Sequence, residues 1–197
     1  MKRFVDGLCY GGVVLILAGG LRESAALLSV AQVSLLQWTG YGTLGFLIAS
    51  QMIHPLVWFG ALDAGMQVYA RRKLGVTSAL LATLHFIVSG CGYLRLNIVS
   101  EADDSPWLQS GLAAWIVLLS LWITSYPWLV KKLRLRLWKP LHQLTYLALL
   151  LSLVHLFLSP WATHRWSLVV FCGVGGLWLV RVACGLWPGS RKKDPAF

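Results

Sequence analysis

Charged residues are scarce in this chain. Asp, Glu, Lys and Arg make up 12% of its 197 residues, about half the fraction found in soluble globular proteins. Hydrophobic residues make up 57%, and the mean hydropathy is +0.68. This composition excludes an ordinary soluble domain and predicts an all-α integral membrane protein. Because a span needs about 20 apolar residues, the chain has room for roughly six spans and for no soluble catalytic domain.

Acidic residues, CxxC pairs and phosphate-binding glycine loops are rare or missing. Three of the 7 acidic residues, Glu101, Asp103 and Asp104, share one segment, which is too few and too clustered for a proton path. The cysteines form no CxxC pair and lie in or beside apolar stretches, which favours small buried side chains over a disulfide relay. They are Cys9, Cys91, Cys172 and Cys184.

The net charge of +10 comes from basic residues in short clusters between apolar stretches. This pattern is typical of the positive-inside rule and not of a nucleic-acid-binding surface. With six spans, the clusters at 2–3, 71–73, 131–139 and 191–193 fall on one side of the membrane. We therefore expect both termini in the cytoplasm, contact with membrane lipid and no nucleic-acid partner.

The apolar stretches predict six spans, at about 5–21, 35–59, 74–98, 108–128, 139–159 and 167–187. Together they form a single transmembrane domain over 1–197, with a polar tail at 188–197 that is too short for a domain. No small-x-small cleavage site follows the first apolar run, so we expect a retained helix and not a removed signal peptide.

Histidines are the candidate functional residues. His142 and His155 share one apolar span, roughly 20 Å apart along a helix. His85 lies within another span, and His54 precedes Pro55 near the end of a third. An imidazole at membrane depth is costly unless something binds it, and paired imidazoles are the ligands of b-type haem.

Two alternatives stay open for these side chains. Each histidine could instead be hydrogen-bonded to a neighbouring helix or face water, and His54 could reach the membrane interface. This interpretation without a bound metal is favoured for His164, which lies in a loop beside Arg165. The 13 steps between His142 and His155 also place them on helix faces roughly 140° apart, so one helix face need not serve two stacked haems.

Three segments, RRKLGVTSALLATLHF, LSLWITSYPW and LWKPLHQLTYLALLLSLVHLFLS, resemble the ferric-reductase-like transmembrane domain. Within that superfamily the chain is most similar to the haem-binding membrane subunits of the methionine sulfoxide reductase system, the MsrQ or YedZ group. The similarity is strongest over 71–159, within a core of about 35–187. The residues that carry it are Arg71, Arg72, Leu84, His85, Thr124, Ser125, Trp138, Leu141, His142, Tyr146 and His155.

The resemblance implies a multi-pass b-type cytochrome of the bacterial inner membrane. Such a subunit passes electrons from quinol or a cytoplasmic flavin reductase to a periplasmic molybdenum enzyme that repairs oxidised methionine. His85 and His155 would ligate the haem nearer the outside. His142 would serve near the cytoplasmic side, and His54 is inferred as its partner.

The expected cofactors are one or two b-type haems, with quinone as a further candidate. Arg71 and Arg72 would meet haem propionates or, in the ordinary interpretation, lipid headgroups. No FAD domain follows the last span in this sequence, so electrons would come from a separate donor. We therefore expect an electron-transfer subunit and not a complete enzyme.

Two other functions remain open. The chain could be an accessory subunit of another redox or photosynthetic membrane complex, with or without haem. It could also be a haem-free structural or assembly protein of the same fold.

Overall fold

The computed structural model describes residues 2–24, 28–90, 104–160, 170, 172–176, 179–180 and 182, and no strand occurs among them. Five long α-helices account for most of these residues, which confirms the all-α prediction. They are α1 (Lys2–Ser24), α2 (Leu28–Trp58), α3 (Gln67–Val88), α4 (Pro106–Thr124) and α5 (Pro127–Leu158). A 3-10 turn, Ala64–Met66, leads into α3. Cys91, Cys184, His164 and the tail 188–197 lie outside the described residues.

Prolines mark the beginnings of two helices. Pro106 and Pro127 occupy the first turns of α4 and α5, where the missing N–H group costs nothing and the fixed φ angle suits a helix. Pro55 and Pro140 instead lie inside helices. Because α5 continues through Pro140, the basic run at 131–139 is helical, and it extends the helix well beyond the apolar span.

Two helices are long and apolar enough to cross a membrane, within the part of the chain that the structure describes. They are Pro106–Thr124 and Pro140–Leu158, and only 28% and 17% of their residues are buried. A core helix of a soluble protein would be mostly buried, whereas these turn apolar side chains such as Ile116, Leu147 and Leu150 outward. The remaining predicted spans and the sides of the termini stay predictions.

Small residues allow the helices to approach closely around α2. Helix α2 packs against α1, α3 and α5, while α3 also contacts α4, and α4 packs along α5. Ser78 on α3 donates a hydrogen bond to the Thr43 carbonyl on α2 at 2.9 Å. Leu47 on α2 is fully buried in this core, together with Ala79 and Ala148. Close packing and such bonds replace the hydrophobic driving force that is missing between helices in lipid.

The helical segment at 172–176 contributes to the same core. Val174 is buried there against the cluster that contains Leu47 and Leu118. This contact lies within the sixth predicted span, most of which falls outside the described residues.

A polar contact joins α1 to the start of α3. The Asp6 carboxylate is 3.0 Å from the Lys73 ammonium and accepts a hydrogen bond from the Tyr69 hydroxyl at 2.7 Å. Hydrogen bonding to Asp6 raises the pKa of Lys73 and that of Tyr69, so both groups keep their protons at neutral pH. The sequence pattern around Asp6 does not predict this contact, because it depends on how the two helices pack.

Leu47→Ala tests the packing of the α2 core. We expect a loss of about 2–3 kcal/mol in the free energy of unfolding, toward the low end for buried Leu→Ala changes because lipid can contact newly exposed apolar surface. Leu150→Ala is the matched control, since Leu150 is 53% exposed on α5. Thermal denaturation in detergent measures both, and equal losses would contradict the described core.

Candidate functional site

A cavity of about 160 Å³ lies between α2, α3, α4 and α5. Its lining is mostly apolar, and it includes the rings of His85 from α3 and His155 from α5. Phe86 and Trp115 form part of the wall as stacked rings, with centres 4.1 Å apart and planes within 5° of parallel. The Trp115 indole N–H donates to the Thr83 hydroxyl at 3.3 Å, so its polar group is satisfied. The two imidazoles are therefore the metal-binding side chains of a mostly apolar chamber, whose lining also includes Tyr41.

The His85 ring is held by α2. Its Nδ1 atom lies 3.0 Å from the Leu36 carbonyl oxygen and 3.3 Å from the Thr39 hydroxyl. Thr39 is fully buried, and its hydroxyl donates to the Leu35 carbonyl at 2.8 Å. A carbonyl oxygen can only accept, so the hydrogen of His85 is on Nδ1 and the lone pair is on Nε2.

The His155 ring is held in the same way by α4. Its Nδ1 atom lies 2.6 Å from the Trp107 carbonyl oxygen, in the first turn of that helix. This contact again requires an Nδ1–H donor and leaves the Nε2 lone pair available. A second hydrogen bond of this kind typically sets the tautomer and the orientation of metal-binding histidines.

The distance between the two rings suits a shared metal ion. Their centres are 6.2 Å apart and their planes are 83° from parallel. Two imidazole nitrogens that bind opposite sides of a metal ion at about 2.0–2.1 Å place the ring centres about 6 Å apart. His85 and His155, predicted from the sequence as a pair, are thus brought together with compatible spacing and tautomers.

His142 has different surroundings from His155, although both belong to α5. It does not line the cavity, and its ring lies 4.1 Å from that of Trp138, one turn earlier. The His142 Nε2 and Trp138 Nε1 atoms are buried and have no hydrogen-bond partner among the described residues. The positive charges of Arg71 and Arg72 act on His142 from the start of α3. His142 and His155 therefore have separate environments on one helix.

His54 is not brought to His142 by any described ring contact. It is half-buried near the end of α2 and does not line the cavity. Across the described residues there is also no cluster of three or more His, Cys, Asp or Glu side chains that could hold a metal ion. Its predicted pairing with His142 stays a prediction.

The groups that orient the two rings were not identified from the sequence. Two of them, the Leu36 and Trp107 carbonyls, belong to the backbone, and Thr39 is one of several hydroxyl residues in apolar stretches. Gly40 and Gly111, which face the two rings, are two of 19 glycines. No signal in a single sequence separates these groups from others of their kind.

The chain matches the family described as "Ferric reductase like transmembrane component" over residues 27–153. This region includes His54, His85 and His142 and ends two residues before His155. Curated relatives include the "Protein-methionine-sulfoxide reductase heme-binding subunit MsrQ" of Salmonella paratyphi B, Salmonella newport and Salmonella enteritidis. Each is 33% identical over 122 residues, which span 60% of this chain and 60% of the relative. No solved structure matches the chain.

The tautomers of the two cavity histidines can be tested in protein purified without cofactor. We expect ¹⁵N NMR to show protonated Nδ1 and unprotonated Nε2 for both His85 and His155, because each Nδ1 faces a carbonyl oxygen. His85→Gln and His155→Gln variants assign the two signals. Protonated Nε2 on either ring would contradict the corresponding carbonyl contact.

Proposed function

This chain belongs to the family of ferric reductase like transmembrane components, and we propose that it is a haem-binding membrane subunit that transfers electrons. His85 and His155 would hold the haem iron. The observation that carries the proposal is the 6.2 Å separation of the two rings across one apolar cavity. Its MsrQ relatives are named heme-binding subunits, which agrees with this assignment.

The donor atoms and the mostly apolar lining of the cavity suit a haem. Both imidazoles offer Nε2, the nitrogen that remains when Nδ1 donates to a carbonyl. The chamber between them is apolar, with aromatic wall residues at Phe86 and Trp115. A bound haem would supply a reversible one-electron couple at its iron.

The residues around the pair influence that couple in two ways. The Leu36 and Trp107 carbonyls make the imidazoles more basic by accepting Nδ1–H, which favours the oxidised metal and lowers the reduction potential. The apolar wall excludes water and so disfavours the extra positive charge of the oxidised haem, which would raise the reduction potential. The protein thus sets the ligand orientation, the ligand basicity and the dryness of the site.

We assign His142 to a second cofactor site near the cytoplasmic face. Its buried Nε2 atom and the neighbouring indole N–H of Trp138 are polar groups in need of a partner. The cationic side chains of Arg71 and Arg72 nearby suit the carboxylates of a second haem. If His54 supplies the second ligand beside His142, the chain holds two haems. If it does not, the chain holds one haem, and quinone is then the candidate ligand beside His142.

We further propose that the protein lies in a bacterial inner membrane with six spans and both termini in the cytoplasm. Electrons would pass from quinol or a cytoplasmic flavin reductase to a periplasmic partner of the methionine sulfoxide reductase type. Support comes from the names of the relatives and from the basic clusters in the sequence.

An accessory role in another redox complex is the second candidate. It is favoured by α1, which precedes the matched region 27–153 and exposes large apolar side chains such as Phe4, Leu8 and Leu15. Cross-linking in membranes followed by purification separates the two roles. A periplasmic molybdoenzyme supports the first, and a large membrane complex supports the second.

Substitution of the ligand pair tests the haem assignment. We expect His85→Ala and His155→Ala each to remove one haem per chain, because a single remaining imidazole no longer holds the iron from both sides. The measurements are a dithionite-reduced minus oxidised spectrum and a pyridine haemochrome assay. His164→Ala, in the predicted loop, is the control and should keep the wild-type content.

The number of haems per chain tests whether His142 belongs to a second haem site. Wild-type protein with two haems, one of which is lost in His142→Ala, supports a haem at His142. One haem restricts the assignment to His85 and His155. Wild-type protein without haem, after expression with adequate haem supply, would overturn the proposed function.

The orientation of the rings predicts a spectroscopic signature. Near-perpendicular imidazole planes would give a low-spin ferric haem held between them a highly anisotropic EPR signal with a large maximal g value, whereas parallel planes would give an ordinary rhombic signal. The observed angle is 83°, and both rings are held by their Nδ1–H bonds. We therefore expect the anisotropic signal, and it should persist in His142→Ala, where a signal from a second site is absent. An ordinary rhombic signal in that variant would contradict the described orientation.

A further inference from the structure

We propose that Gly40 and Gly111 are positioning residues that keep the His85 and His155 rings in place for metal binding. The inference rests on the proposed function, since it concerns the same ligand pair. It assigns a role to two glycines that lie on helices α2 and α4, opposite the helices that carry the histidines.

The same local arrangement occurs twice. His85 donates to the Leu36 carbonyl and faces Gly40, while His155 donates to the Trp107 carbonyl and faces Gly111. In both helices the glycine follows the carbonyl residue by four positions. We call each set, Leu36 with Gly40 and Trp107 with Gly111, a carbonyl–glycine pair.

Helix geometry explains the spacing of four. The carbonyl of residue i accepts the backbone N–H of residue i+4, and side chains in a helix tilt toward its N-terminus. A Cβ atom at i+4 therefore lies beside the carbonyl oxygen of residue i. In both helices the hydroxyl at i+3 also donates to this oxygen, Thr39 to Leu36 at 3.1 Å and Ser110 to Trp107 at 2.9 Å. With glycine at i+4, the imidazole can still come close enough to donate to the same oxygen.

The Gly111 position leaves no room for a side chain. A Cβ atom built there would be 2.6 Å from Nδ1 and 2.8 Å from Cε1 of His155. Real Cβ atoms do not approach neighbours so closely, so the ring would have to move. The ring cannot move away while it keeps its 2.6 Å contact with the Trp107 carbonyl. An alanine at this position would therefore weaken that hydrogen bond, the metal bond, or both.

The Gly40 position leaves slightly more room for a side chain than the Gly111 position does. A Cβ atom there would be 3.1 Å from Cε1 and 3.3 Å from Nδ1 of His85. His85 also has a second acceptor, the Thr39 hydroxyl, which can keep the ring oriented after a small shift. The proposal thus predicts a graded result, with a larger effect at Gly111 than at Gly40.

General helix packing is the alternative explanation for glycines in a membrane protein. Gly42 illustrates it, since a Cβ atom there would be 2.5 Å from Cδ1 of Ile16 on α1. Gly45 on the same helix has nothing within 4 Å. Gly42→Ala is therefore a control for a steric clash away from the histidines, and Gly45→Ala is a control for the change of residue type.

The experiment compares the four Gly→Ala variants, each as purified full-length protein with its haem. In Gly111→Ala we expect a five-coordinate fraction, seen as a high-spin EPR signal and as a severalfold rise in carbon monoxide binding to the reduced protein. The reduction potential of the remaining six-coordinate haem should rise, because a weaker bond to Trp107 makes the imidazole less basic. Gly40→Ala should change in the same directions by less.

The controls should separate ligand positioning from stability. Gly42→Ala should leave the EPR signal, the potential and carbon monoxide binding at wild-type values, whatever its effect on the temperature of denaturation, because the clashing atom is the movable end of the Ile16 side chain. Gly45→Ala should leave all four quantities unchanged. If Gly111→Ala does not accumulate, Gly40→Ala carries the test with the same readouts.

Two results would overturn the inference while the proposed function stands. One is a normal six-coordinate haem in both Gly40→Ala and Gly111→Ala, with wild-type potentials. The other is a Gly42→Ala variant that reproduces their spectral changes, since the effect would then come from helix packing in general. Absence of haem from the wild-type protein is a different failure and counts against the proposed function itself.

Discussion

The hydrogen bonds from two imidazole Nδ1 atoms to helix carbonyls determine the geometry of this protein's interior. His85 bonds to Leu36 and His155 bonds to Trp107, so each histidine is tied to a helix other than its own. In an apolar chamber an unpaired N–H group is costly, and these bonds therefore hold α3 on α2 and α5 on α4. They also leave both Nε2 atoms free, so one interaction serves packing and ligand tautomer together.

The bonds form because the helices approach closely at chosen positions. Gly40 and Gly111 expose the carbonyl one turn earlier, and Ser78 bonds across from α3 to the Thr43 carbonyl on α2. In lipid, where apolar side chains gain little by burial between helices, such contacts supply specificity. The outward faces of α4 and α5 carry large apolar side chains such as Ile116 and Leu150, which suit contact with lipid.

Much of the candidate site could be predicted from the residues. Imidazoles within apolar stretches are unusual enough to be identified individually, and the selection of His85 and His155 as a pair followed from a family resemblance. Their role as ligands remains a proposal, and so does the pairing of His54 with His142. The polar contact of Asp6 with Lys73 and Tyr69 was missed, because one carboxylate in an apolar run has no distinctive pattern.

The all-helical architecture and the placing of His142 and His155 far apart on one helix follow from the order of the residues alone. These properties are local, because hydropathy is summed over neighbouring residues and an α-helix has a constant rise and rotation per residue. The packing of the helices, in contrast, sets the 6.2 Å distance between the His85 and His155 rings, the nitrogen of each that carries hydrogen, and the glycines that face them. Those properties depend on the rotation and depth of separate helices, and on backbone carbonyls that every residue possesses.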